Sequence, residues 1–344
     1  MKNVNVVVIG FGNVGRAFVK LVSLKRKTIS EKYGVNISIV AVADSRGVAI
    51  KKEGFDEYEM LKMSELPRSG IYMFSPYARQ GASIKEIYEE VEPDIHIELT
   101  PANYVSGEPG YTNILFALRK GVHVVTANKA PLVLHYNEIM NEARARGLVV
   151  KFRATVMGGT PFLEMLGSMK SHEVEKVEGI LNATTNYILS EMHENLIDFD
   201  QALKKAQAIG VAEADPSLDI EGFDAAAKLC IVSNVVGKPI DLKSVYRESL
   251  SKITLKDVLD AIRQGQVLKY VATLDLQNKS AFVKIVRIPK ENILAQVNGT
   301  LNAVRVKTEA TELFFVGKGG GRIETAHSVL DDVLFISLEK VVKK

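Results

Sequence analysis

Residues 4–27, VNVVVIGFGNVGRAFVKLVSLKRK, open as a β-branched run, turn on three glycines and continue at helical spacing. A run of that length and composition reads as a buried strand, and the segment after the glycines as an amphipathic helix. Between them Gly10, Gly12 and Gly15 form G-x-G-x-x-G. The pattern has a physical reason at each glycine: a tight turn, backbone contact with a pyrophosphate, and close helix–strand packing. The helix N-terminus adds free N–H groups and a favourable field for an anion. Gly10, Phe11, Gly12, Asn13, Val14 and Gly15 are therefore the expected dinucleotide-binding turn.

The strand–helix alternation continues outward from this unit. VNISIVAVADS is the next strand, and Asp44 ends it. An acid there ordinarily accepts from the ribose, about 20 residues past the glycines. Here it comes 29 positions after Gly15, which asks for a longer intervening helix. Ser45, Arg46, Lys51 and Lys52 come next and offer a 2′-phosphate site, with a solvated basic loop as the plain alternative. Residues 45–90 are polar and irregular apart from a helix near 84–91. DIHIELT (94–100) and HVVTAN (123–128) are further strands, separated by a helix that Pro109 opens and Gly121 closes. Ligands of an open parallel sheet sit beyond the carboxyl ends of its strands, so Thr100, Pro101, Asn128 and Lys129 are expected to face the cofactor.

After about residue 150 the pattern changes. LVVKFRATV reads as a strand, VEKVEGILNATTNYIL as a strand running into a helix, and four alternating strands lie between 267 and 317. The expectation is an α/β chain: a Rossmann-type nucleotide-binding domain over 1–135, an α+β catalytic and dimerisation domain over 136–316, and a C-terminal segment 317–344. The 344 residues suffice for two cores. A formal net charge of +3 gives no nucleic-acid surface, and the single Cys230 excludes an intrachain disulfide and fits a reducing, cytoplasmic setting. No run is long and apolar enough for a membrane span.

The densest chemistry lies in AQAIGVAEADPSLDIEGFDAAAKLC (206–230), which puts Glu213, Asp215, Asp219, Glu221 and Asp224 within twelve residues, ahead of Lys228. Asp224 and Lys228 share a face of an otherwise apolar helix. On a buried helix such a pair must be matched or must serve a ligand, and a desolvated lysine suits proton transfer. The inventory fits a cup for a small amino acid that carries an ammonium and a hydroxyl or carbonyl.

With Ala206, Gly210, Asp215-Pro216, Asp219, Gly222, Asp224 and Lys228 in that spacing, the chain resembles the homoserine dehydrogenases. GFGNVG, ELTPANY, VVTANKAPL, ATVMGGTPF, ILNATTNYIL and GKGGG…TAHSVLDDV extend the likeness over nearly the whole chain, weakest in 45–90 and 235–290. The resemblance implies reversible NAD(P)-dependent oxidation of L-homoserine to L-aspartate 4-semialdehyde, a step toward threonine and methionine. It implies that Lys129 and Lys228 stand at the reacting oxygen, that Glu213 holds the substrate ammonium, and that Asp219 and Asp224 orient substrate and lysine. Thr184 lies near the substrate, with Ala183 where the family has glycine. The last helix is expected to return to the nucleotide domain, with Gly320 near the cofactor, and the second domain to form a homodimer. No effector domain is expected, so no feedback by threonine through one. NADP is the expected preference over NAD, on Arg46. The family's monovalent-cation site, on the carbonyls of Val156, Gly158 and Thr160, is expected to be lost because Arg153 stands where a glutamate is usual.

Two other readings share parts of this pattern. Another amino-acid dehydrogenase of similar architecture would keep the nucleotide half but not need the 206–228 signature. A nucleotide-sensing regulator would have lost the lysine–carboxylate set, which is present.

Overall fold

The computed structural model describes residues 1–339. The chain divides into two units, one of Met1–Thr155 with the segment from Gly321 onward, the other of Val156–Gly320.

The first unit runs Lys2–Ile9 (β1), Asn13–Tyr33 (α1), Val35–Ala43 (β2), Gly47–Ile50 (β3), Glu57–Ser64 (α2), Ala78–Gln80 (β4), Ile84–Glu90 (α3) and Ile95–Glu98 (β5). It continues with Gly110–Arg119 (α4), His123–Thr126 (β6), Lys129–Leu134 (α5), Tyr136–Ala145 (α6) and Val150–Lys151 (β7), and ends with Arg322–Glu339 (α13). Its sheet has the order β4-β3-β2-β1-β5-β6-β7. β2, β1, β5, β6 and β7 are parallel, and β3 and β4 add an antiparallel edge. The chain order reverses on either side of β1, and the carboxyl end there is where such sheets bind ligands.

From Val6 to Ile9 β1 is continuously apolar and buried because both of its faces are covered there. Val4, Val6 and Val8 pack with Phe18, Val19 and Val22 of α1 and with Val329, Leu330 and Val333 of α13. Val7 and Ile9 face the opposite cluster with Ile87 of α3. The last helix thus completes the nucleotide-binding core, as the resemblance implied.

Three expectations are corrected. The first boundary falls after Thr155, not 135, because α6 and β7 finish this unit: Ile139, Ala143 and Val150 join Ile114, Leu118 and Val124 in one cluster. The second falls after Gly320 rather than 316. LVVKFRATV keeps only two residues as strand and tightens into a 3-10 turn at Arg153–Thr155, where the Arg153 N–H donates to Asp332 Oδ2 at 3.0 Å instead of continuing a ladder. The polar 45–90 stretch also holds more order than its composition suggested. α2 is started by a reciprocal capping box between Asp56 and Glu59.

The second unit comprises Phe162–Ser168 (α7), Val174–Ile180 (β8), Ala183–Asn195 (α8), Phe199–Ala208 (α9), Ser217–Ile220 (α10) and Phe223–Val235 (α11). Tyr246–Arg247 (β9), Leu255–Arg263 (α12), Gln266–Asp275 (β10), Ser280–Pro289 (β11), Leu301–Thr308 (β12) and Glu312–Lys318 (β13) complete it. Its sheet has the order β13-β12-β8-β10-β11-β9, antiparallel except for β9 against β11. α8 and α11 both pack on β10. α11 is buried from Ala225 to Ser233, which is why its alanines and aliphatics run all the way round.

Candidate active site

In the first unit the three glycines divide their work as the pattern requires. A Cβ on Gly10, whose φ is +102°, would lie 2.4 Å from the Leu99 carbonyl carbon, so the turn presses onto the end of β5. A Cβ on Gly15 would lie 2.6 Å from Gly10 O, but one on Gly12 would meet nothing within 4 Å. The middle glycine therefore borders open space at the N-terminus of the 21-residue α1, whose cap makes no side-chain hydrogen bond and whose first turn has no acid. That is the cradle an anionic pyrophosphate needs. The length of α1 also accounts for the late arrival of Asp44.

Asp44 does not stand free for a ribose. Its Oδ1 accepts from Arg46 N at 2.8 Å and Gly47 N at 3.1 Å, and its Oδ2 from Ile71 N at 2.9 Å. It shapes the loop that carries Ser45 and Arg46. Ser45 shares a 3.0 Å hydrogen bond with Ser69, and the exposed Arg46 lies over the Tyr72 ring. Lys51 leaves the phosphate set: its Nζ is 2.6 Å from Glu59 Oε2, and that carboxylate holds its pKa above the usual lysine value.

Thr100, Pro101, Asn128 and Lys129 do come together at the carboxyl ends of β5 and β6. Asn128 Nδ2 donates to Thr100 Oγ1 at 3.2 Å and to Pro101 O at 3.4 Å. Its Oδ1 caps α5 through Ala130 N at 3.2 Å, so Lys129 is the first helical residue.

In the second unit the opening of α11 gathers most of the expected cup. Lys228 is 7% exposed, and its Nζ lies 2.7 Å from Asp224 Oδ2 and donates to Leu181 O. Asn182 ties the acids together: its Nδ2 donates to Asp219 Oδ1 at 2.6 Å and to Asp224 Oδ2 at 3.0 Å. Its Oδ1 caps α8 through Thr185 N at 2.9 Å. Thr184 donates to Val211 O at 3.1 Å and also hydrogen-bonds with Asp219. Burial and the like charge of Asp224 raise the Asp219 pKa, opposed by Thr184, Asn182 and Lys228.

The other carboxylates stand apart. Glu213 is exposed, on the loop before α10. Asp215 accepts from Ser217 N at 3.1 Å and shapes its own turn, and Glu221 accepts from Ser249 at 2.7 Å. Gly320 borders open space, whereas a Cβ on Gly319 would collide with the Asn302 amide, 2.1 Å from its Cγ. The turn of Val156, Gly158 and Thr160 is held by Gly158 N to Gly319 O at 3.0 Å and Thr160 N to Met157 O at 2.8 Å. In the first unit the Arg153 guanidinium pairs with Asp331 of α13 at 3.0 Å.

Asn182 is a site residue that the sequence reading missed. Its signal is an asparagine three residues before a threonine at a strand-to-helix junction, the mark of an N-cap.

Two family models match the chain: "Homoserine dehydrogenase, NAD binding domain" over residues 10–153 and "Homoserine dehydrogenase" over residues 161–334. A homoserine dehydrogenase of Methanocaldococcus jannaschii is 34% identical over 335 residues, covering 96% of this chain and 98% of that one. Among solved structures, one ascribed to a homoserine dehydrogenase of Archaeoglobus fulgidus superposes with a TM-score of 0.86 at 33% identity, covering 97% of this chain and 99% of that one. A hyperthermophilic archaeal homoserine dehydrogenase mutant in complex with NADPH superposes with a TM-score of 0.84 at 28% identity, covering 99% of each.

Proposed function

This chain belongs to the homoserine dehydrogenase family, and we propose that it oxidises L-homoserine reversibly to L-aspartate 4-semialdehyde with NAD or NADP. The observation that carries the reading is the buried set of Lys228, Asp224, Asp219 and Asn182 at the head of α11. A fold needs no such set, because burying ions is costly and a structural pair does not need a second carboxyl group beside it.

When bound, the nicotinamide supplies the hydride acceptor. The residues do the rest. The oxidation removes a hydride from the carbinol carbon and a proton from its oxygen. Lysine has three donors. Two of those on Lys228 serve Asp224 and the Leu181 carbonyl, leaving one for the substrate oxygen. Asp224 keeps that ammonium in place. Asp219, with Thr184, offers an acceptor to the substrate's polar end, and Glu213 comes to the ammonium from its exposed loop. Lys129 takes the proton, an assignment supported by its position as the first residue of α5, beyond the end of β6.

NADP is the better cofactor on this reading, because Arg46 is exposed beside a loop already shaped by Asp44, and a guanidinium pairs bidentately with phosphate. The enzyme acts as a homodimer in the cytoplasm. Exposed Phe314 and Val316 on the edge strand β13 support a partner surface in the second unit, and no helix among the described residues is long and apolar enough to cross a membrane. Trapping the aldehyde formed from L-homoserine and NADP, and identifying it by mass, tests the reaction. Trapping none with either dinucleotide would overturn it.

A further inference from the structure

His96 and Glu98 lie fully buried on β5, two polar residues in a strand that is otherwise core. Burying a carboxyl group is costly unless donors surround it. Glu98 has them on both sides. Its Oε1 accepts from the Thr100 N–H at 2.8 Å and from the Thr100 hydroxyl. Its Oε2 accepts from Asn113 Nδ2 at 2.9 Å and lies 3.5 Å from His96 Nε2, and His96 Nδ1 is 3.1 Å from the Tyr88 hydroxyl.

The direction of these bonds propagates. A hydroxyl has one proton. Thr100 gives its proton to Glu98, so Thr100 Oγ1 can only accept from the next group along. That group is Asn128, which must turn its NH2 toward Thr100, at 3.2 Å, and its oxygen toward Ala130 N, at 3.2 Å. Gly110 leaves the space this amide occupies, since a Cβ there would lie 2.5 Å from Asn128 Nδ2. The backbone is tied as well, Asn128 N to Thr126 Oγ1 at 2.9 Å and Thr126 Oγ1 to Glu98 O at 3.1 Å. The first helical residue after this cap is Lys129.

We propose that Glu98 is a positioning residue for catalysis: through Thr100 it fixes which way the Asn128 amide faces, and so sets the cap of α5 and the place of Lys129. This rests on Lys129 being the proton-transferring lysine. Glu98 touches neither substrate nor cofactor in this arrangement, and its effect should fall on kcat rather than on the affinity for dinucleotide.

The test is a double-mutant cycle of Glu98→Gln and Asn128→Asp in the full-length enzyme, with Lys129→Ala alongside. Glu98→Gln is isosteric but can turn an NH2 toward Thr100 and reverse the chain. Asn128→Asp keeps the helix cap and removes the donor to Thr100. Each should lower kcat roughly 10- to 100-fold, the scale of a misplaced catalytic group. The dissociation constant for NADP should stay within about threefold in Glu98→Gln, and the pH profile of kcat should shift in both variants, because the proton-transferring group has moved. Because both act through one chain, the double variant should be no slower than the worse single variant. Additive losses with an unshifted profile would overturn the proposal, as would an unchanged kcat in Glu98→Gln while Lys129→Ala collapses. Full activity in Lys129→Ala would instead overturn the assignment of the proton to Lys129. If Glu98→Gln does not fold, Asn128→Asp decides alone: near-normal kcat at saturating NADP sinks the proposal, and a lost kcat at saturating NADP with a shifted pH profile supports it.

Discussion

Asp224 and Lys228 stand one turn apart on the buried helix α11, the carboxylate Oδ2 2.7 Å from the ammonium Nζ. On an exposed helix this pair would contribute a few tenths of a kcal/mol. Here both groups are largely withdrawn from water, and Asn182 Nδ2 donates to the same Asp224 oxygen.

Replacing Lys228 by alanine should lower kcat by roughly 100-fold or more while NADP affinity changes little. The melting temperature should fall, because Asp224 loses its counter-ion, but Asn182 still solvates it and the fold should persist. Lys228→Arg should not rescue, since a planar, larger guanidinium cannot replace a compact ammonium held between Asp224 and the Leu181 carbonyl. Near-full activity in Lys228→Ala, measured at saturating substrate, would remove this lysine from the mechanism.

Asp219→Asn separates activity from stability. The Asp219 pKa is raised by burial and by Asp224, so the folded state holds its proton more tightly than the unfolded chain does. This group therefore favours folding at pH below its unfolded value of about 3.8, and the advantage is lost as pH rises through the higher folded pKa. Asparagine keeps the oxygen that accepts from Asn182 without the charge. The variant should be at least as stable as wild type at neutral pH, lose that margin in acid, and turn over far more slowly. Melting curves across pH check it, and a variant less stable than wild type at neutral pH would count against a raised Asp219 pKa.

His193 gives the opposite slope. Its Nε2 accepts from Leu268 N at 3.0 Å and so must be unprotonated, and burial with the nearby Lys269 and Lys290 brings its pKa down to about 4. The unfolded chain takes up this proton near 6.5 and the folded chain not until about 4, so stability should decline as pH falls through that interval. His193→Gln keeps an acceptor without a proton to gain and should flatten that part of the profile. An equally steep decline in the variant would assign it to other groups.

Arg46→Ala should reduce kcat/KM with NADP more than with NAD. Lys51→Ala should leave the ratio alone, because Lys51 is held by Glu59, and should cost a modest amount of stability instead. An unchanged ratio in Arg46→Ala would remove the case for NADP.

Activity should not depend on sodium or potassium at constant ionic strength, and Arg153→Glu should create such a dependence. A carboxylate there would supply the hard oxygen ligand that a guanidinium, paired with Asp331, cannot. A strong cation requirement in the wild-type enzyme would contradict this.

The nucleotide half was legible because its signals are local. A β-branched run, three glycines and a helical period are read off one stretch, and α1 only had to be long enough to bring Asp44 late. The cup was legible as an inventory but not as a network. Spacing placed Asp224 and Lys228 on one face, yet nothing in it told Asp219, which joins them through Asn182, from Asp215, which serves its own turn, or Glu221, which accepts from the distant Ser249. Lys51 looked like a phosphate ligand because its partner Glu59 lies on α2, in a stretch too polar to show a helical period. The boundary at Thr155 depends on β7 pairing with β6, a contact between strands that composition does not encode. Glu98 does carry a signal in the sequence: polar residues at 96 and 98 share one face of a strand that is otherwise apolar enough to be buried.

The most direct test is the initial rate of nicotinamide reduction with L-homoserine, for wild type and Lys228→Ala side by side. The expected result is saturable reduction of NADP or NAD by L-homoserine in the wild type, none with L-aspartate, and a loss of roughly 100-fold or more in the variant with NADP affinity retained. No reduction of either dinucleotide by L-homoserine, or equal rates in the two proteins, would contradict the assignment of homoserine oxidation to this lysine–carboxylate site.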